Sequence, residues 1–162
     1  MTKACVYLMH GLPASGKTTF ARALAADKKA LRLNGDEYVA AHFSAAAQEA
    51  DWDGCFGTAI AALWLQTAAA VANGQDVILD FGFWTRENRA DARARIAALG
   101  ADYVHYFMDT PDDIILARLQ KREGEIARRN VENFEHLKKI FARPDAAEGA
   151  IYIRPDTKSL DE

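Results

Sequence analysis

The residues Gly11-Leu12-Pro13-Ala14-Ser15-Gly16-Lys17-Thr18 fit the spacing GxxxxGK[ST] and follow directly on the apolar run Ala4-Cys5-Val6-Tyr7-Leu8-Met9. That placement constrains the fold more than any other feature of the chain. A glycine-rich phosphate-binding loop works when a buried strand delivers it and a helix leaves it, and Thr18 to Ala26 is a good helix former free of Pro and Gly. Gly11 and Gly16 permit backbone angles and close approaches that a Cβ would block, so successive N–H groups can converge on phosphate oxygens. Pro13 and Ala14 stiffen and thin the loop between them. Lys17 then sets a compact charge on the β- and γ-phosphates, and the Thr18 hydroxyl ligates Mg²⁺ at the positive end of the helix. The expected nucleotide cradle is Gly11, Ala14, Ser15, Gly16, Lys17, Thr18 and Thr19. The plain alternative, a glycine-rich turn with a surface lysine, needs every fixed position and both flanks to coincide.

Around that loop, strand-like and helical patterns alternate. Short apolar runs at 3–9, 30–33, 76–81, 101–108 and 151–153 read as strands. Helical stretches separate them at 36–48, 56–72, 86–99 and 131–141, another begins at Thr110-Pro111, and Asp51 to Gly54 reads as an interruption. The order specifies an α/β fold: a three-layer arrangement of a five-stranded parallel sheet with helices on both faces. A length of 162 residues predicts one domain, 1–162, with a small arginine-rich lid at roughly 118–130. The acidic tail from Asp156 to Glu162 is expected to be loosely held.

Composition narrows the partners. The chain is 50% hydrophobic and 27% charged, as soluble globular domains are, and its net charge of -3 offers no global field for polyanions. Nucleic acid is therefore the less favoured partner. Cys5 and Cys55 show no ligand spacing, the histidines are scattered, and Cys5 lies in a buried strand, so neither a zinc site nor a disulfide is indicated. The N-terminus runs straight into the first strand with no room for a signal peptide, and the apolar helix around 59–72 is too short to span a bilayer. The expectation is a cytoplasmic protein, monomer or homodimer.

Ligands of parallel α/β sheets bind at the carboxyl ends of the strands, which gathers the remaining candidates beside the loop. Asp36 closes the second strand and can accept the proton of an acceptor hydroxyl facing the γ-phosphate; it would also serve as a helix N-cap. Asp80 ends the third strand, where such an acid holds Mg²⁺ through water, binds substrate, or orients Lys17. Phe83 and Trp84 surround the site with aromatic surface for a planar or cyclic acceptor, or pack the core. Arg86 and Arg89 stand in the first turns of a helix, unfavourably for its dipole, which hints at an anionic partner. Arg93 and Arg95 read as surface partners of Glu87 and Asp91. Among Arg118, Lys121, Arg122, Arg128 and Arg129, the choice for stabilising a transferring phosphoryl group is Arg122 and Arg128.

These residues resemble the P-loop kinase superfamily, in particular the small ATP-binding phosphotransferases grouped with polynucleotide 5′-kinase, chloramphenicol phosphotransferase and zeta toxins. The resemblance is carried by GLPASGKTT, LNGDEY, VILDFGFWTRENR, ARLQKREGEIARRN and FARPDAAEG, which together cover most of the chain. It implies that ATP and Mg²⁺ are handled by Lys17 and Thr18, that Asp36 is the base, and that 118–129 forms the lid. Polynucleotide kinases usually carry an arginine shortly after the strand-two aspartate, where this chain has Glu37, Tyr38, Val39 and Ala40. The reading that follows is a kinase acting on a hydroxyl of a small molecule such as a sugar, nucleoside or antibiotic. The alternatives are a polynucleotide 5′-hydroxyl kinase and a nucleotide-binding regulatory module without an acceptor.

Overall fold

A computed structural model of the protein describes residues 2–154; the tail from Asp156 onward lies outside the described residues. The sheet has five parallel strands in the order β2-β3-β1-β4-β5. They are β1 (Cys5–His10), β2 (Leu31–Asn34), β3 (Val77–Gly82), β4 (Asp102–Met108) and β5 (Ile151–Ile153). β1 is central, and Val6, Leu8 and Met9 are fully buried because helices cover both of its faces. The fold class expected from the sequence is the one observed.

Alternate residues of β1 face different helical layers. Val6 and Leu8 pack with Leu63 and Ala70 of α4 (Trp52–Ala72) and with Ala92 and Ile96 of α5 (Arg86–Ala98). Tyr7 and Met9 pack with Ala21 and Leu24 of α1 (Lys17–Lys28). Between β2 and β3 the chain forms a cap of α2 (Gly35–His42), α3 (Ala45–Ala50) and the start of α4, around Val39, Cys55 and Ala59. After β4 come α6 (Asp112–Lys121), α7 (Glu125–Glu132) and α8 (Phe134–Ile140), whose Ile115, Leu119, Phe134 and Leu137 pack on Leu12 and Ala14 of the loop after β1.

Several boundaries move. Asp51 to Gly54 is no interruption but the start of α4, since the Asp51 side chain caps it by accepting the Gly54 amide at 2.9 Å. The helical region expected at 36–48 is two helices, α2 and α3, and the stretch expected as one helix from 131 to 141 divides into the end of α7 and all of α8. With its early start α4 reaches 21 residues, so by length and composition it is long enough to cross a bilayer, contrary to the expectation; here Cys55, Ala59, Leu63, Thr67 and Ala70 are buried against the rest of the fold. Both cysteines are free.

Candidate functional site

The loop from Gly11 to Thr18 is pinned by its carbonyl groups. The Gly11 carbonyl accepts the Trp84 indole N–H at 3.2 Å, and the Leu12 carbonyl accepts Lys17 Nζ at 2.8 Å. The Ala14 carbonyl accepts Arg118 Nη1 at 3.2 Å, and the Ser15 carbonyl accepts the Thr110 hydroxyl at 2.7 Å. With the carbonyls held by protein, the first-turn amides of α1 are the groups the loop leaves without a helical partner. Gly16, at φ 98°, enters α1 without a side-chain cap, and no acid sits in the first turn. A helix start with neither cap nor acid suits an anion supplied from outside. A Cβ at Gly11 would stand 2.5 Å from Ser15 Oγ and 3.1 Å from Met108 Cβ, so a side chain there would displace the Ser15 hydroxyl.

Lys17 is half-buried, and loss of water lowers its pKa to about 8. Asp80 and Asp36 partly oppose that shift and Arg122 adds to it. Charges in the first turn of α2 (Gly35–His42), on β3 and at the end of α6 thus act on this one ammonium group. Asp36 lies in the first turn of α2, but the cap is Asn34, whose side chain accepts the Glu37 amide at 2.9 Å. The capping role open to Asp36 is therefore filled by its neighbour. The protein around the Asp36 carboxyl raises its pKa through lost hydration, Asp80 and Glu37 add to the rise, and Lys17 works against it.

Asp80 is buried, and its Oδ2 accepts from Thr18 Oγ1 at 3.2 Å, Arg32 Nη2 at 3.0 Å and Asn34 Nδ2 at 3.0 Å. Its Oδ1 is buried without a hydrogen-bond partner. Arg32 also holds Glu37 through two hydrogen bonds of 3.0 Å, and Arg22 approaches the same carboxylate at 3.4 Å. Sequence reasoning missed Arg32. The available signal was a charged residue inside an otherwise apolar strand, Leu31-Arg32-Leu33, one turn of pleat from the strand end.

The wall after β3 is arranged differently from expectation. Trp84 is half-buried and bonded to the loop, while Phe83 is only 7% exposed and packs in the core beside Phe81. Arg89 is not on the site surface. It is fully buried, paired with Glu148 through Nε–Oε1 at 2.6 Å and Nη2–Oε2 at 3.1 Å, and its Nη1 donates to the carbonyls of Phe83 and Ala142. The same Nη1 lies 3.3 Å from His10 Nε2, and His10 Nδ1 lies 3.0 Å from His105 Nε2. Arg89, His10 and His105 thus form one buried polar chain. A helix-start arginine that looked poised for an anion is instead satisfied from within. Arg86 is exposed and lies 3.8 Å from Asp145, and Arg95 pairs with Asp91 at 2.8 Å.

In the arginine-rich segment, Arg118 braces the loop, while Arg122 and Arg128 line a hollow of about 400 Å³ with Leu119, Glu123, Gly124 and Val131. Mg²⁺ fits the residues present: one hydroxyl ligand from Thr18, next to a buried carboxylate with an unpartnered oxygen, in a place where no cluster of acidic or histidine ligands occurs among the described residues.

A model of the AAA domain family matches residues 6–144. No curated protein matches the chain. Solved structures do. The APS kinase CysC of Mycobacterium tuberculosis, in complex with AMPPNP and APS, is 20% identical over 95% of this chain and 90% of its own, with a TM-score of 0.69. A sugar kinase from a Janibacter species is 18% identical over 98% of this chain and 90% of its own, with a TM-score of 0.68. A chain of the Pnkp1/Rnl/Hen1 RNA repair complex is 20% identical over 88% of this chain and 47% of its own, with a TM-score of 0.64. These likenesses show a P-loop kinase fold.

Proposed function

The chain belongs to the AAA domain family, and from that premise we propose that it is an ATP- and Mg²⁺-dependent kinase that transfers the γ-phosphoryl group to a hydroxyl of a small molecule. The observation that supports the reading is the Thr18 hydroxyl donating to buried Asp80 Oδ2 at 3.2 Å, with Asp80 Oδ1 left unpartnered, beside the uncapped start of α1.

In this reading the first-turn amides of α1 and Lys17 bind the β- and γ-phosphates of ATP. Thr18 would ligate Mg²⁺ directly and Asp80 would accept from its waters; the ion, when bound, neutralises charge on the β- and γ-oxygens. Asp36 orients the acceptor hydroxyl. As its oxygen bonds to the γ-phosphorus, the bridging P–O bond breaks with its electron pair leaving on ADP, and the hydroxyl proton passes to the Asp36 carboxylate. Its raised pKa makes the Asp36 carboxylate a stronger base than an ordinary aspartate. Arg122, with Arg128 in the same hollow, supplies positive charge to the transferring group. Trp84 and Arg86 stand on the acceptor side.

The test is ATP turnover against a library of hydroxylated small molecules, with γ-labelled ATP to follow the phosphoryl group. If no acceptor raises turnover above the basal rate, the kinase reading loses its support. The second reading, a polynucleotide 5′-hydroxyl kinase, draws on the likeness to the RNA repair complex and is decided by label transfer to a 5′-hydroxyl oligonucleotide.

A further inference from the structure

The alternation of β2 sends its two polar residues to the face of the sheet that carries the loop. Leu33 packs on the side of α4 and α5, so Arg32 and Asn34, its neighbours in the strand, point to the side of α1. Asn34 is in register with Asp80, and Ile78, two residues earlier on β3, packs with Ala21 and Leu24 of α1. Asp80 therefore stands on that same face, with Thr18 of α1. Three donors meet a single atom there: Asp80 Oδ2 accepts from Thr18 Oγ1 at 3.2 Å, from Arg32 Nη2 at 3.0 Å and from Asn34 Nδ2 at 3.0 Å. Oδ1 of the same carboxylate is buried and receives no hydrogen bond.

This distribution does more than neutralise a buried charge. The terminal torsion of an aspartate is broad and two-fold, so nothing intrinsic to the side chain sets the plane of its carboxylate. Donors gathered on one oxygen set that plane and leave the other oxygen to a different partner. The charged donor makes the stronger kind of bond. Arg32 is in turn held from behind: Glu37 accepts Nη1 on Oε2 and Nη2 on Oε1, both at 3.0 Å. Its Nη2 thus serves two carboxylates, and the guanidinium links the first turn of α2 to the end of β3. A buried carboxylate oxygen without a donor costs free energy, and a water polarised by Mg²⁺ beside the Thr18 hydroxyl is a strong donor of the kind it lacks.

We propose that Arg32 is a positioning residue for the Mg²⁺ site: by holding Asp80 Oδ2, with Asn34 beside it and Glu37 behind it, it keeps Oδ1 unpaired for the waters of a Mg²⁺ ion that Thr18 ligates. The proposal rests on the kinase reading and adds to its metal site a residue that acts through Asp80.

The experiment titrates the full chain with a fluorescent, non-hydrolysable ATP analogue in excess Mg²⁺ and again in EDTA. The ratio of the two dissociation constants is the enhancement that Mg²⁺ confers. Arg32→Met should reduce that enhancement by at least about tenfold, as removal of groups that orient a metal's partners does, while affinity in EDTA stays within about threefold. Asp80→Asn should reduce it by a similar factor. Because Arg32 acts through Asp80, the double variant should lose no more than Asp80→Asn alone. Urea melts read the stability of each variant separately, and where Arg32→Met does not fold, Arg32→Gln replaces it with the same expected outcome. An unchanged enhancement, equal losses of affinity with and without Mg²⁺, or losses that add in the double variant overturn the proposal and leave the kinase reading standing. If the unsubstituted protein binds the analogue equally well in EDTA, the Mg²⁺ dependence in the kinase reading falls and this proposal falls with it.

Discussion

Trp84 donates its indole N–H to the carbonyl of Gly11 at 3.2 Å, which ties the segment after β3 to the first residue of the phosphate-binding loop. The bond depends on Gly82, whose φ of 95° favours glycine and whose Cβ, if present, would lie 2.8 Å from the indole nitrogen. Gly82→Ala should destabilise the fold by about 1–3 kcal/mol and weaken ATP binding by moving the indole. Trp84→Phe keeps the ring and removes the donor, so it should weaken ATP binding with a smaller loss of stability. Urea melts and nucleotide titrations of the two variants check the separation.

Lys17 gives nucleotide binding a pH dependence with a definite sign. Its pKa in the free protein is lowered to about 8 by burial, and phosphate oxygens favour the charged form, so binding raises that pKa and takes up a proton. The dissociation constant for a non-hydrolysable ATP analogue should be flat below about pH 7. Above pH 8 it should rise by up to about tenfold per pH unit until the pKa of the complex is reached. Calorimetry in two buffers of different ionisation enthalpy reads the proton uptake directly, and Lys17→Arg should flatten the profile.

Asp36→Asn should lower phosphoryl transfer by roughly 10²–10⁴-fold and leave the affinity for ATP within a few-fold. Equal losses of both would remove the base role. Because the Asp36 carboxyl has its pKa raised and must be ionised to accept a proton, kcat/KM should fall as the pH drops through a value above that of an ordinary aspartate. That acid limb should disappear from the residual rate of the variant.

Buried His10 and His105 make the fold sensitive to acid. Burial lowers their pKa values to about 3 and about 4, with Arg89 contributing at both, so they stay neutral in the native protein while the unfolded chain protonates them below about pH 6.5. Stability is lost as pH falls from there toward 4, by up to about 1.4 kcal/mol per pH unit for each histidine. Glu148 acts in the same direction: Arg89 holds it down to about 2, and its contribution, present above the ordinary glutamate range, is lost on further acidification. The urea midpoint should drop between pH 7 and pH 4.5, and His10→Asn with His105→Gln should reduce the slope.

The Arg89–Glu148 pair itself is a stability element. Arg89→Met strands a buried carboxylate and should cost about 3–5 kcal/mol, whereas Arg89→Met with Glu148→Met should recover part of the loss. If Arg89 instead contacted the acceptor, the single variant would change KM for the acceptor without this loss of stability.

Much of the frame was legible because its signals are local. The loop spacing, the apolar runs and Thr85, whose side chain accepts the Asn88 amide at 3.1 Å, act within a few residues of themselves. The role of Arg89 was not, since it depends on a partner far along the chain, Glu148, 59 residues beyond it; for Phe83 the sequence left stacking and core packing both open, and the structure selects the core. Arg32 was missed for a related reason. A strand arginine looks like solvent-facing decoration until β2 is set beside β3, with Asn34 in register with Asp80, so that its guanidinium reaches two carboxylates. The start of α4 was misread because Asp51-Trp52-Asp53-Gly54 contains a glycine, and a cap and a break share that composition until the Gly54 amide is seen to bond.

The hydrophobic clusters also say which parts of this protein can be exchanged between relatives. Leu12 and Ala14 belong at once to the phosphate-binding loop and to the packing of α6 and α8, so a graft of 112–141 carries the loop's own support with it. The cap from α2 to the start of α4 closes around Val39, Cys55 and Ala59, and Tyr38, packed against both clusters, joins it to the sheet together with α4, which supplies buried residues to each. A new cap fitted there would have to keep Tyr38 and the register of α4, so cap and frame are exchanged together.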